Sequence, residues 1–229
     1  MRAIHVAAMG RSYTRCKRNI VQIRSDSFRN NAAIPAAFAF GKPGDHGEAC
    51  VLSANRNPHL AWDDAPAGTK SFALVCIDSD VPSRGDDVNQ QGRTVPADLP
   101  RVDFAHWLMV DIPPDCNTIA EGACSDGITP HGKRDPKGPT GSRQGRNDYT
   151  GWFASDPDMA GDYLGYDGPC PPWNDALLHH YCFRVYALDI PQLELPQPFG
   201  WAELQDALRG HVLSQAEIIG TYSLNPAVR

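Results

Sequence analysis

Five residues in three separate segments are of the types that hold protons or anions. Asp78 and Asp80 close the apolar run in "SFALVCIDSDVPSR", His106 sits inside "FAHWLMVDI", and His179 and His180 open "HHYCFRVYALD". In an extended chain, side chains two residues apart point the same way. The two carboxylates are therefore expected to share one side, as are His179 and Tyr181, with His180 facing away. Carboxylates this close raise at least one pKa unless a cation or donor intervenes, and imidazoles from neighbouring strands would supply that donor. Taken singly, each residue has a plainer reading: the acids as turn residues, His106 as a satisfied core histidine, His179 and His180 as surface residues. Taken together they point to a polar pocket at the edge of a β core.

Three strands are predicted to position them, over 71–78, 104–112 and 180–189. The last shows period-two alternation, with Tyr181, Phe183, Val185 and Ala187 on one side. A helix is predicted only in "PFGWAELQDALRGHVL", where Trp201, Leu204, Leu208 and Val212 fall on one face. The following "AEIIGTYSL" reads as β. The expected core includes Leu74, Val75, Ile77, Leu108, Val110, Phe183 and Val185. Residues 113–179 are rich in Gly and Pro and sustain neither period; in a compact domain so long a stretch is usually functional. Its end, "GYDGPCPPWNDALLHHY", sets rigid turn formers directly against two histidines.

The 229 residues suffice for one good core, and a single domain over 1–229 is expected. A hydrophobic fraction of 41 %, a charged fraction of 21 % and a net charge of −6 describe ordinary globular material. The acidic balance argues against nucleic acid as a partner. No run approaches the roughly 20 apolar residues of a membrane span. The apolar run from Ala3 to Met9 is too short for a secretory signal, so a cytoplasmic location is expected. Seven cysteines, at 16, 50, 76, 116, 124, 170 and 182, form no CxxC pair. Reduced thiols fit better than a disulfide framework, and Cys76 and Cys182 read as small core residues. No metal site and no cofactor are expected.

Five segments, in order, resemble the phosphatidylethanolamine-binding protein family, also called Raf kinase inhibitor-like, and especially its bacterial branch. They are "NRNPHLAWDDAPAGTKSFAL", "DSDVPSR", "DFAHWLMVDIP", "GYDGPCPPWNDALLHHYCFRVYALD" and "GHVLSQAEIIGTY", and the recognisable core runs over about 57–222. The resemblance implies a mainly β fold: a large central antiparallel sheet, a smaller packed sheet and a short C-terminal helical region. It also implies a small anion pocket built from Asp78, Asp80, Pro82, His106, Pro172, His179 and Tyr181. Ser79 stands where the family has a first proline and Val81 where it has alanine, so a trans or altered bend is expected there. The 83–103 segment is longer than such a connection needs and reads as a solvated insertion rather than a lid.

The function this supports is a non-enzymatic module binding a phosphate or phospholipid-headgroup-like anion. A hydrolase or phosphoryl-transfer enzyme using Asp78, His106 and His179 is the alternative from another class; it lacks a nucleophile elbow, a phosphate-cradling glycine loop and an obvious nucleophile. Inhibition of a kinase or protease through protein contact is a third reading. The bacterial relatives imply a homodimer.

Overall fold

The computed structural model describes residues 20–228; the apolar run at 3–9 and Cys16 lie outside them. The strands are β1 Gln22–Arg24, β2 Ala32–Ala33, β3 Gly41–Lys42, β4 Val51–Leu52, β5 Leu60–Asp63, β6 Ser71–Pro82, β7 Arg101–Ile112, β8 Thr118–Ile119, β9 Arg143–Gln144, β10 His179–Leu188 and β11 Val212–Tyr222. Two α-helices, α1 Tyr149–Trp152 and α2 Trp201–Leu208, accompany them.

The long apolar runs become strands because both of their faces find cover. Along β6, Phe72, Leu74 and Cys76 pack to one side and Ala73, Val75 and Ile77 to the other. Six strands form the central sheet in the order β2-β11-β10-β6-β7-β9, antiparallel except where edge strand β2 runs parallel to β11. Tyr181, Phe183, Val185 and Ala187 of β10 share the first face with Leu60 and Trp62 of β5, which belongs to a three-stranded sheet, β1-β5-β8. The second face is closed by Leu193, Phe199 and, from α2, Leu204 and Leu208. Burying each such side chain is worth roughly 1.5–3 kcal/mol. All seven expected core residues are buried. Cys182 is not among them: it is half-buried, its thiol 3.3 Å from a Glu217 carboxylate oxygen.

The helix stops earlier than its apolar spacing predicts. Glu203 accepts the Gly200 backbone N–H at its start, and Gly210 adopts φ +83° just after it, a conformation glycine enters without steric cost. Val212 consequently opens β11 and is exposed rather than continuing the helical face.

Two register shifts between β6 and β7 matter for the site. Cys76 pairs with Trp107 but Ile77 with Ala105, which leaves His106 as an extra residue on β7; Asp78 pairs with Phe104 but Val81 with Val102, which leaves an extra residue on β6. Such irregularities re-aim side chains and break the period of two. The 78–79 bond is trans, as expected for Ser79; the one cis bond among the described residues is Gln197–Pro198.

The 83–103 segment is largely exposed, as expected of a solvated insertion, but it is tethered at defined points. The Asn174 amide donates to the carbonyls of Asp87, Gln90 and Arg93, its carbonyl accepts the Asn89 N–H, and Val95 is buried. One buried asparagine thus stitches the segment against the polypeptide that precedes β10. In 113–179, irregular backbone is held in the same manner. Asn57 accepts the N–H groups of Cys124 and Ser125, and Asn147 donates to the Gly165 carbonyl.

Candidate functional site

A cavity of about 700 Å³ opens where β6 and β7 meet α1 and the proline-rich approach to β10. Its polar floor includes Asp78 and His106. Aromatic and apolar side chains, among them Phe40, Phe104, Tyr149, Trp152 and Phe153, form one wall, and Pro82, Pro171 and Pro172 form another. Ser83, Arg84, Val88 and Asn89 of the stitched segment also line it. The prolines hold a chain with few donors that cannot collapse into the opening.

His106 is placed by the extra residue in β7, which turns its ring among Phe104, Tyr149 and Tyr181 at centroid distances of 4.9, 5.5 and 5.1 Å. Its Nδ1 lies 2.8 Å from the Asp167 carbonyl and therefore donates to it. No protein partner is found at Nε2 among the described residues. Burial lowers the pKa of this imidazole, against the pull of the Asp78 charge. In the neutral form Nε2 is an acceptor; once protonated it is a donor aimed at the cavity.

Asp78 is fixed from behind. Its Oδ1 accepts the Asp80 N–H at 2.8 Å and its Oδ2 lies 2.7 Å from His179 Nδ1. The other nitrogen of His179 lies 3.1 Å from Asp175, whose carboxylate receives the Arg101 guanidinium through two bonds of 2.6 and 3.0 Å. Burial disfavours charge on His179, but the hydrogen bonds to Asp175 and Asp78 override it and raise its pKa to about 9. The order of charges, Asp78–His179–Asp175–Arg101, alternates and is buried, so each ion compensates its neighbour. Burial also works against ionisation of Asp175, yet the bonds from His179 and Arg101 hold its carboxyl below the usual range.

Of the residues expected to converge, Asp78, Pro82, His106 and Pro172 line the cavity. Asp80, His179 and Tyr181 do not. His179 and Tyr181 are fully buried behind the floor, with the Tyr181 hydroxyl beside the Asp78 carboxylate. The two acids do not share a side. The β6 irregularity turns Asp80 to His180, whose backbone N–H and Nδ1 both lie within 2.9 Å of its Oδ2. His180 is exposed, as expected from its parity. Sequence reading missed the aromatic wall. Its signal was the cluster "DYTGWF" at 148–153 inside an otherwise Gly- and Pro-rich stretch, where aromatic residues have no local structural use. It also missed Asp103 and Asp148, which line the cavity with Asp78 and leave Arg84 as the single guanidinium in its wall. The site can thus offer carboxylates, a switchable imidazole and aromatic faces to one ligand.

Comparison with known proteins places the chain as a whole. A family model described as phosphatidylethanolamine-binding protein matches residues 24–223. Curated relatives include a UPF0098 protein of Methanothermobacter thermautotrophicus, 31 % identical over 88 % of this chain and 98 % of its own length. Another, from Aquifex aeolicus, is 30 % identical over 89 % of this chain and 88 % of its own length. Among solved structures, Escherichia coli YbcL, described as a new member of the mammalian PEBP family, aligns with a TM-score of 0.63 at 28 % identity, covering 89 % of this chain and 98 % of that one. A Chlamydia trachomatis chain described as a putative phosphatidylethanolamine-binding protein homolog aligns at 0.59 and 26 % identity, covering 90 % and 98 %.

Proposed function

The chain belongs to the phosphatidylethanolamine-binding protein family, and from that premise we propose that it is a non-enzymatic module binding a phospholipid-headgroup-like ligand in the cavity above Asp78 and His106. One observation carries the reading: a single cavity joins a buried acid and imidazole to an aromatic and proline wall. A phosphate oxygen would accept from protonated His106 and from Arg84. An ammonium group would meet the carboxylates of Asp78, Asp103 and Asp148 and the aromatic faces. A bare phosphate satisfies only the first half of this set, so an amine-bearing phosphate suits the cavity better than a simple anion.

The enzymatic alternative finds less support. His179 is fully buried with a carboxylate on each ring nitrogen, so it is not free to exchange a proton with a substrate. Cys170, the nearest thiol in the wall, has its pKa pushed well above the usual value by its bond to Cys50 and by burial, which suppresses the thiolate a nucleophile requires.

Calorimetric titration with inorganic phosphate and with phosphoethanolamine, at about pH 5.5 and about pH 8, tests the proposal. Because burial lowers the His106 pKa, the donor form is populated only on the acid side of the ordinary histidine range. Phosphate is expected to bind more tightly at the lower pH, and phosphoethanolamine more tightly than phosphate at both. Equal affinities at the two pH values would remove His106 from the reading.

A further inference from the structure

Cys50 and Cys170 are 120 residues apart in the chain, yet their sulfurs lie 3.8 Å apart. Sequence spacing gives no hint of this pair; the fold makes it. The N–H groups of Phe40 and Gly41 both donate to the Pro169 carbonyl, at 2.9 and 3.1 Å, which lays β3 along the residue before Cys170. Both sulfurs then rest over Gly41, where a Cβ would stand 2.5 Å from one and 2.7 Å from the other. A side chain at position 41 would occupy the space in which they meet.

We propose that Cys50 and Cys170 form a reversible dithiol–disulfide site that ties β4 to the proline wall of the cavity when a hydroperoxide is the oxidant. The two thiols are unequal in the way such a pair requires. Cys50 is exposed, and the hydrogen bond from Cys170 lowers its pKa despite partial burial. Cys170 is held between Pro169 and Pro171 and keeps its proton. An accessible thiolate beside a protonated resolving thiol is the arrangement that directs oxidation to one bond.

In the first step the Cys50 thiolate attacks a peroxide oxygen. The S–O bond forms as the O–O bond breaks, the sulfur gives up two electrons, and the departing oxide takes a proton to leave as water or an alcohol. In the second step the Cys170 sulfur attacks the Cys50 sulfenic sulfur; the S–S bond forms, the S–O bond breaks, and hydroxide leaves as water with the Cys170 proton. The sulfurs must close from 3.8 Å to about 2.05 Å. The proline-flanked Cys170 is the fixed end and Cys50, at the end of the exposed turn between β3 and β4, is the one that moves. Leu52, two residues on, lines the cavity and is exposed, so the bond draws the cavity's rim toward its proline wall.

The chemical step stands apart from the headgroup reading; its effect on ligand uptake rests on that reading. The full chain is treated with hydrogen peroxide, remaining thiols are alkylated, and peptides are mapped without reduction. A linked Cys50–Cys170 peptide is expected before any other cysteine reacts, and dithiothreitol should release it. Cys50→Ser, an exposed substitution whose folding is checked by thermal unfolding, should remove the link and leave Cys170 alkylated. Gly41→Ala should slow it several-fold. Cys50 ending as a sulfinic acid beside a free Cys170, or linked to any other cysteine, overturns the proposal. Phosphoethanolamine titration of reduced and oxidised protein forms the second arm, with weaker binding expected after oxidation. A linked peptide with unchanged binding overturns the coupling to the cavity. A linked peptide with no binding in either state supports the dithiol and refutes the headgroup reading instead.

Discussion

Replacing His179 with Gln isolates the charge held between Asp78 and Asp175. The imidazole's ordinary pKa of 6.5 is raised to about 9 in the folded chain. At about 1.4 kcal/mol for each tenfold change in proton affinity, that amounts to roughly 3 kcal/mol of folding stability. Because the folded value is the higher one, this contribution is complete below about pH 6.5 and disappears as pH rises through about 9. Cys124 and Cys182, whose thiols burial pushes up to about 12, also weaken the fold in alkali, since the unfolded chain ionises them first. They do so equally in both proteins, so the difference between wild type and variant removes them. Urea unfolding is followed for both between about pH 6 and about pH 9.5. Near pH 6 the variant is expected to be about 3–5 kcal/mol less stable, because Asp78 keeps a buried charge without its cation. By pH 9.5 the gap should shrink by roughly 3 kcal/mol. A gap that holds constant or widens across this window would mean that His179 is not charged in the folded protein, and the alternating chain of ions would fall with it.

Further outcomes follow from the packing. His106→Ala is expected to abolish phosphate binding at about pH 5.5 and to lower stability by about 1–3 kcal/mol, since the ring fills space between three aromatics and satisfies the Asp167 carbonyl; calorimetry and urea unfolding read the two effects. Leu204→Ala should cost about 2–5 kcal/mol by opening a void between α2 and the sheet, without altering the ligand titration. Gly168→Ala should cost more than about 2 kcal/mol, because its Cβ would run into the Phe38 carbonyl oxygen, which is backbone and cannot swing aside; thermal unfolding measures it.

Much of the fold was legible along the chain. The runs that became β6 and β7 are too apolar for a half-exposed strand, and their residues do pack on both faces of a central sheet. Tyr181 through Ala187 kept the period of two because β10 meets β6 in register throughout. Asp78 and His106 could be picked out because each is a polar residue at a position where an uninterrupted core would place an apolar one. What the sequence could not disclose depends on events between distant segments. The period of two predicts that Asp78 and Asp80 share a side, and an irregularity created jointly by β6 and β7 sends Asp80 to His180 instead. Arg101 and Asp175 carry no motif, yet they complete the buried ion chain because Asn174 fastens the 83–103 segment beside them. The 148–153 aromatics and Cys50 likewise acquire meaning only when the chain closes around the cavity. Local periodicity determines which face a residue can present. Which partner waits on that face is set by long-range packing, whose energy no single segment contains.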